Sequence, residues 1–536
     1  MNQTPKGRIR WAVTALAIAA CAALPATAAA DSARGQVIVQ LDAGSSADAV
    51  KAQVREYGGR VTGDLPIVNG FAAELSDGGA ASLQRVAGVR EVTRNAAIEP
   101  QGVNVAELQT AYPSSVDAIE AWNRPDANVT GKNVGVAVID TGIAGQMKDF
   151  EEKGPSKASR VVASVVTNPY ATSARDTYGH GTHVAGIIAG NGTERTNGDL
   201  LRNKYIGVAP EADLVSVKVS DDLGNATVLD VIYGLQWVVD FKSQYNIRVV
   251  NLSLESTTPS SYKTDPLDAA VESAWLKGLV VVAAAGNRGT DGDAVQYAPG
   301  NDPYVISVGA LDDQMSQADG DDSRATWSSR GVTQDGFAKP EIHAPGARIV
   351  STLAPASAFA TLCPSCVVGG EMIRAGGTSM AAPMVSGAAA LLLQKYPSLT
   401  PNQVKGILVD SARTLPGGRP GLDTYGALKR VEAGNLPVAN QGLTPNPLVS
   451  AATGEIDYSR SSWSRSSWSN STGAQSANWS RSSWSRSSWS SADPSLGLDF
   501  ARSSWSRSSW SSTDSAGVET SRSSWSRSSW STSWTK

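Results

Sequence analysis

Apolar residues along this chain gather into short unbroken runs rather than alternating with polar ones. VGVAVID (134–140), RVVASVV (160–166), ADLVSVKV (212–219), RVVNLSL (248–254), LVVVAAAG (279–286) and YVISVGA (304–310) are of this kind. Such runs predict strands buried on both faces. Between them lie helix-period stretches such as VLDVIYGLQWVVDFKSQY and PLDAAVESAWLKG. Strands alternating with helices imply an α/β domain with a parallel sheet in three layers, here residues 115–435. A different pattern precedes it. QVIVQL predicts a strand, SADAVKAQVREYG a helix, RVTG a short strand, IVNGFAAEL a strand, GAASLQRVAG a helix and VREVTRNAAIEP a last strand. That βαββαβ order suggests a small α+β, ferredoxin-like unit over residues 31–105.

Both ends depart from these patterns. Lys6, Arg8 and Arg10 precede an apolar run from Trp11 to Leu24, followed by ATAAA. This reads as a secretory signal peptide over residues 1–30, cut near Ala30. The run is shorter than the roughly 20 residues a spanning helix needs. IAAC, ending at Cys21, loosely resembles a lipoprotein processing site, but the apolar run continues past it. From 440 to 536 the chain is Ser-rich, and RSSWS occurs eight times, in pairs starting at Arg460, Arg481, Arg502 and Arg522. Trp every five residues fits neither one helix face nor one strand face. Few aliphatics leave no conventional core. The tail is read as an arm binding a cell-wall polymer, a glycan or another surface. A stacked repeat array and a plain spacer stay open.

The net charge of −4 over 536 residues argues against nucleic acid as a main partner. Cys363 and Cys366 are the other two cysteines. In an exported chain they predict a small disulfide-closed loop rather than a redox pair or half a zinc site.

Three segments carry candidate chemistry: VAVIDTG around Asp140, DTYGHGTHVAG around His180 and GGTSMAAP around Ser379. A serine hydroxyl is a weak nucleophile at neutral pH and needs a base to take its proton. Histidine titrates close to that range, and a carboxylate fixes its tautomer and stabilises the imidazolium. Asp140 ends a buried strand, at the edge where open α/β sheets build their sites. Ser379 opens a long apolar helix whose first N–H groups favour negative charge. The chain order Asp, His, Ser, with these flanks, resembles the active-site motifs of the subtilisin family.

The resemblance implies a serine endopeptidase with Asp140, His180 and Ser379 as its triad. It places Asn287, at the end of VVVAAAGNRG, in the oxyanion hole, and Ser253, Leu254 and Glu255 beside extended substrate. It leaves His183 a structural role. It makes residues 31–105 an inhibitory propeptide, processed somewhere between Pro100 and Pro113, and the enzyme a secreted or surface-associated zymogen. No cofactor is required for the chemistry, and structural calcium stays open beside the reading of the candidate segments as solvated surface loops. DGDDS from Asp319 and NGTERTNGD from Asn191 offer oxygen ligands, though neither has the spacing of a defined calcium loop.

Glu255 stands where the family commonly has glycine, Arg288 follows Asn287, and Gln296 lies near the expected pocket floor. No side-chain preference follows from these. The partners implied are protein or peptide substrates and the chain's own propeptide. A rival reading is a surface-attached adhesin or matrix protein whose protease domain serves self-processing or one partner.

Overall fold

The computed structural model describes residues 34–455 except 101–110, 153–156, 193–194, 196–198, 200, 202–203, 317, 319, 435 and 448. Beyond 455 it describes four two-residue strands, pairing Leu498–Asp499 with Ser533–Trp534 and Ser503–Ser504 with Ser529–Trp530. The expected signal peptide, the expected processing region and nearly all of the RSSWS tail lie outside the described residues.

Strand Gly35–Leu41 is the second of four in an antiparallel sheet, between Gly70–Leu75 and Val89–Arg94, with Arg60–Leu65 on the outer edge. Its alternate side chains go opposite ways. Val37, Val39 and Leu41 pack with Val50, Val54 and Leu83 of the helices Ala47–Glu56 and Asp77–Leu83. Ile38 joins the core of the larger domain. Two expected boundaries shift. IVN is not strand: Pro66 starts a 3-10 turn at Pro66–Val68, Asn69 closes it in the left-handed region (φ 48°), and the strand begins at Gly70. VREVTRNAAIEP splits at Asn95 into Val89–Arg94 and Ala97–Pro100.

That second piece leaves its sheet. Ala97–Pro100 lies antiparallel between Leu254–Ser256 and Ala226–Thr227, with Leu254 opposite Pro100 and Ala97 opposite Thr227. The Asn95 side chain accepts from the Leu229 N–H (3.0 Å) at the start of the next helix.

The larger domain is built on a ten-stranded, mostly parallel sheet. Gly135–Asp140 pairs with Asp213–Lys218 on one side and Ile247–Leu252 on the other, and Val280–Ala284, Ile306–Asp312 and Ile342–Pro345 follow. The strand order reverses at Gly135–Asp140, so the crevice beyond its C-terminal end is the expected site. Helix His180–Ala189 packs against Thr378–Lys395, and Val228–Phe241 against Pro266–Leu276. Every residue from Thr378 to Leu393 is buried, so this helix runs through the core.

The domain extends beyond the expected end near 435 and the expected tail start at 440. Asn446 is buried and donates to the Tyr262 carbonyl (3.1 Å), Val449 joins the core, and Ser273 donates to the Gly454 carbonyl (2.9 Å).

Candidate active site

Asp140 is the last residue of its strand and almost wholly buried. Its Oδ1 accepts the Thr141 N–H (2.7 Å) and stands 2.7 Å from His180 Nδ1. A carboxylate beside Nδ1 selects the tautomer that leaves Nε2 as the basic nitrogen. His180 Nε2 has no hydrogen-bond partner among the described residues. His180 opens its helix because Gly179 turns the chain at φ 108°, where a Cβ would lie 2.7 Å from Ser357 Oγ. At Gly181 a Cβ would lie 2.2 Å from the Gly142 carbonyl oxygen, so only glycine lets the helix start approach the Asp140 loop.

Ser379 is the second residue of its helix. Its hydroxyl donates to the Ser253 carbonyl (3.2 Å), so the structure brings Asp140 and His180 into a hydrogen bond but not Ser379 and His180. Ser253 answers in the other direction: its hydroxyl donates to the Ser379 carbonyl (2.9 Å). In an unbroken helix that carbonyl would accept from residue 383, which is proline and has no N–H. Ser253 supplies the missing donor. Asn287 sits across the helix start, with Oδ1 accepting from the Thr378 N–H (2.9 Å) and hydroxyl (3.1 Å). That contact fixes the orientation of its amide beside Ser379.

His183 is held apart from this chemistry. Its Nε2 donates to the Ile373 carbonyl (3.0 Å), and burial, with His180 nearby, pushes its pKa down to about 3, so the ring stays neutral.

Leu254 and Glu255 lie in the strand that borders Ala97–Pro100, with Glu255 opposite Glu99. Glu255 pairs with Arg288 (3.1 Å), whose guanidinium stacks 3.9 Å from the Tyr297 ring. The two charges at this rim therefore neutralise each other. Gln296 donates to the Val332 carbonyl (3.1 Å) and accepts from the Gln334 N–H (2.5 Å). Cys363 and Cys366 are joined. They pack with Leu353, Ile373 and Phe359, and the Phe359 ring meets His180 edge-on at 6.0 Å.

In the loop from Asn191, read first as a solvated surface loop that also offers oxygen ligands, the described acidic residue Asp199 is held by the loop's own arginine. The Arg195 side chain, fully buried, bonds both oxygens of buried Asp149 (3.2 and 2.5 Å), Asp199 (3.2 Å) and Glu371 (2.9 Å). Lys148 bridges Asp199 and Glu371 from outside. These carboxylates do not fit a divalent ion while the guanidinium stands among them. Among the described residues no group of three His, Cys, Asp or Glu side chains is placed to hold a metal.

Sequence reasoning passed over Asp176, Arg195 and Phe359. Asp176 had a readable signal, an acidic residue in the same Gly-rich segment as His180. Arg195 and Phe359 had none.

Residues 131–427 match the family model described as the subtilase family. Serine protease AprX of Bacillus subtilis is 38% identical over 309 residues, covering 56% of this chain and 66% of that protein, so the match spans just under two thirds of AprX. Subtilisin E of Bacillus subtilis is 35% identical over 370 residues, covering 68% of this chain and 81% of the relative. The crystal structure of fervidolysin from Fervidobacterium pennivorans, a keratinolytic enzyme related to subtilisin, shares the fold. Its TM-score is 0.57 at 24% identity, covering 75% of this chain and 62% of that one. This chain belongs to the subtilase family and is a subtilisin-like serine protease.

Proposed function

We propose that the chain is an exported endopeptidase made as a zymogen, with Asp140, His180 and Ser379 as its triad. The Ser379 hydroxyl first turns from the Ser253 carbonyl to His180 Nε2, a rotation about one side-chain torsion. His180 then takes the proton as Ser379 Oγ bonds to the peptide carbonyl carbon. The Asn287 amide and the Ser379 N–H hold the oxyanion. His180 returns the proton to the leaving amine, and water, deprotonated in its turn by His180, releases the acyl group.

Extended peptide pairs with Ser253, Leu254 and Glu255, the edge that Ala97–Pro100 covers in this chain. Residues 1–30 direct export, 31–105 act as inhibitor, and the tail attaches the enzyme to a wall polymer, glycan or other surface. The observation that carries this reading is the 2.7 Å bond from Asp140 to His180 Nδ1 on a histidine whose Nε2 is unpartnered among the described residues.

Ser379→Ala is the test, read in two ways: loss of the N-terminal segment and hydrolysis of casein. Both should vanish in the variant. Wild type that processes itself but leaves casein intact points to a dedicated processing enzyme. Hydrolysis that survives the substitution overturns the triad.

A further inference from the structure

Asp176 is wholly buried, yet no cation pairs with it among the described contacts. It is held by donors from two elements. Oδ1 accepts from the Gly179 N–H (2.7 Å) and the Thr141 hydroxyl (2.9 Å). Oδ2 accepts from the Thr182 N–H (2.8 Å) and hydroxyl (2.6 Å). The two hydroxyls pass the connection on. Thr141 Oγ1 accepts the Gly181 N–H (2.9 Å), and Thr182 Oγ1 accepts the Ala144 N–H (3.0 Å).

One carboxylate thus ties the loop after Asp140 to the first turn of the helix that His180 opens. The formal cap of that helix is Gly179, which has no side chain to offer, so Asp176 and Thr141 satisfy the Gly181 and Thr182 N–H groups instead. Burial raises the Asp176 pKa, and the four hydrogen bonds oppose the rise.

We propose that Asp176 is a positioning residue for the reaction, fixing His180 against Asp140 through Thr141 and the helix start and holding a second buried negative charge near the imidazole. This rests on the triad reading above. The loop and helix start that it ties carry Asp140 and His180, Arg175 precedes it in the chain, and Asp222 pairs with Lys218 close by (2.7 Å). From the next strand comes Lys218, whose ammonium donates to the Arg175 carbonyl (2.7 Å).

Asp176→Asn keeps the volume but turns an NH2 toward one pair of donors, so at least one strut breaks. Turnover per active site, counted by burst titration on processed enzyme, should fall by about 10- to 100-fold with KM nearly unchanged. The acid limb of kcat/KM should move to lower pH, because a negative charge that favours imidazolium is gone. Thr141→Val removes one strut with Asp176 in place and should lower kcat in the same way, while Thr141→Ser should restore it. If Asp176→Asn does not mature, the Thr141 pair gives the same reading. Wild-type turnover per titrated site with an unmoved acid limb would mean that Asp176 serves folding alone. A loss confined to KM would also overturn the proposal. Ser379→Ala, measured alongside, sets the inactive baseline and separates failure of the triad from failure of this role.

Discussion

Asn287 makes one contact that can be separated from its proposed work. Its Oδ1 accepts from the Thr378 N–H and hydroxyl, which fixes which end of the amide faces the helix start. Asn287→Ala should therefore cut kcat by about 100- to 1000-fold while leaving KM close to wild type, measured on a short chromogenic peptide. An equal loss in KM would assign the residue to ground-state binding instead. Asp140, His180, Ser379 and Asn287 stand out in the sequence as candidates because the motifs around them resemble those of the subtilisin family. The partner of the Ser379 carbonyl was not legible. It depends on Ser253 and Pro383, 130 residues apart in the chain, the first donating its hydroxyl where the second has no N–H to give, and no local pattern encodes that.

In the loop from Asn191 the described side-chain contacts gather on its arginine, which binds Asp149, Asp199 and Glu371, and composition alone does not point to that residue. Arg195→Ala leaves the buried Asp149 carboxylate without its partner and should cost about 3–5 kcal/mol of stability, read from urea unfolding. A wild-type thermal midpoint that falls with EDTA and returns with calcium would show a divalent ion bound at residues other than this cluster. Strand existence was the easier part of the reading, since buried parallel strands announce themselves as continuous apolar runs. Pairing was not. Nothing local in AAIEP shows that it leaves the strand before it to lie between Leu254–Ser256 and Ala226–Thr227, because its hydrogen-bond partners come from distant parts of the chain.

For the whole molecule, the catalytic domain ends later than its composition suggests. Removing everything after 455 should leave casein hydrolysis intact and abolish retention on the producing cell's surface, measured by fractionation. Retention that survives would make the tail a spacer, and hydrolysis that is lost would make it part of the enzyme. Removing everything after 440 should do more harm, since it strips Asn446 and Val449 from the core and leaves Tyr262 and Ser273 without bonds they make in the folded chain. The adhesin reading predicts the reverse emphasis, with surface retention persisting in Ser379→Ala. The slot that holds Ala97–Pro100 has a consequence for targets. A peptide seated there has strand neighbours on both sides, so it must arrive with its own backbone groups free over about four residues. A folded protein offers such a stretch only when it opens locally. Cleavage of native targets would then follow the free energy of that opening more closely than the identity of the side chains at the cut.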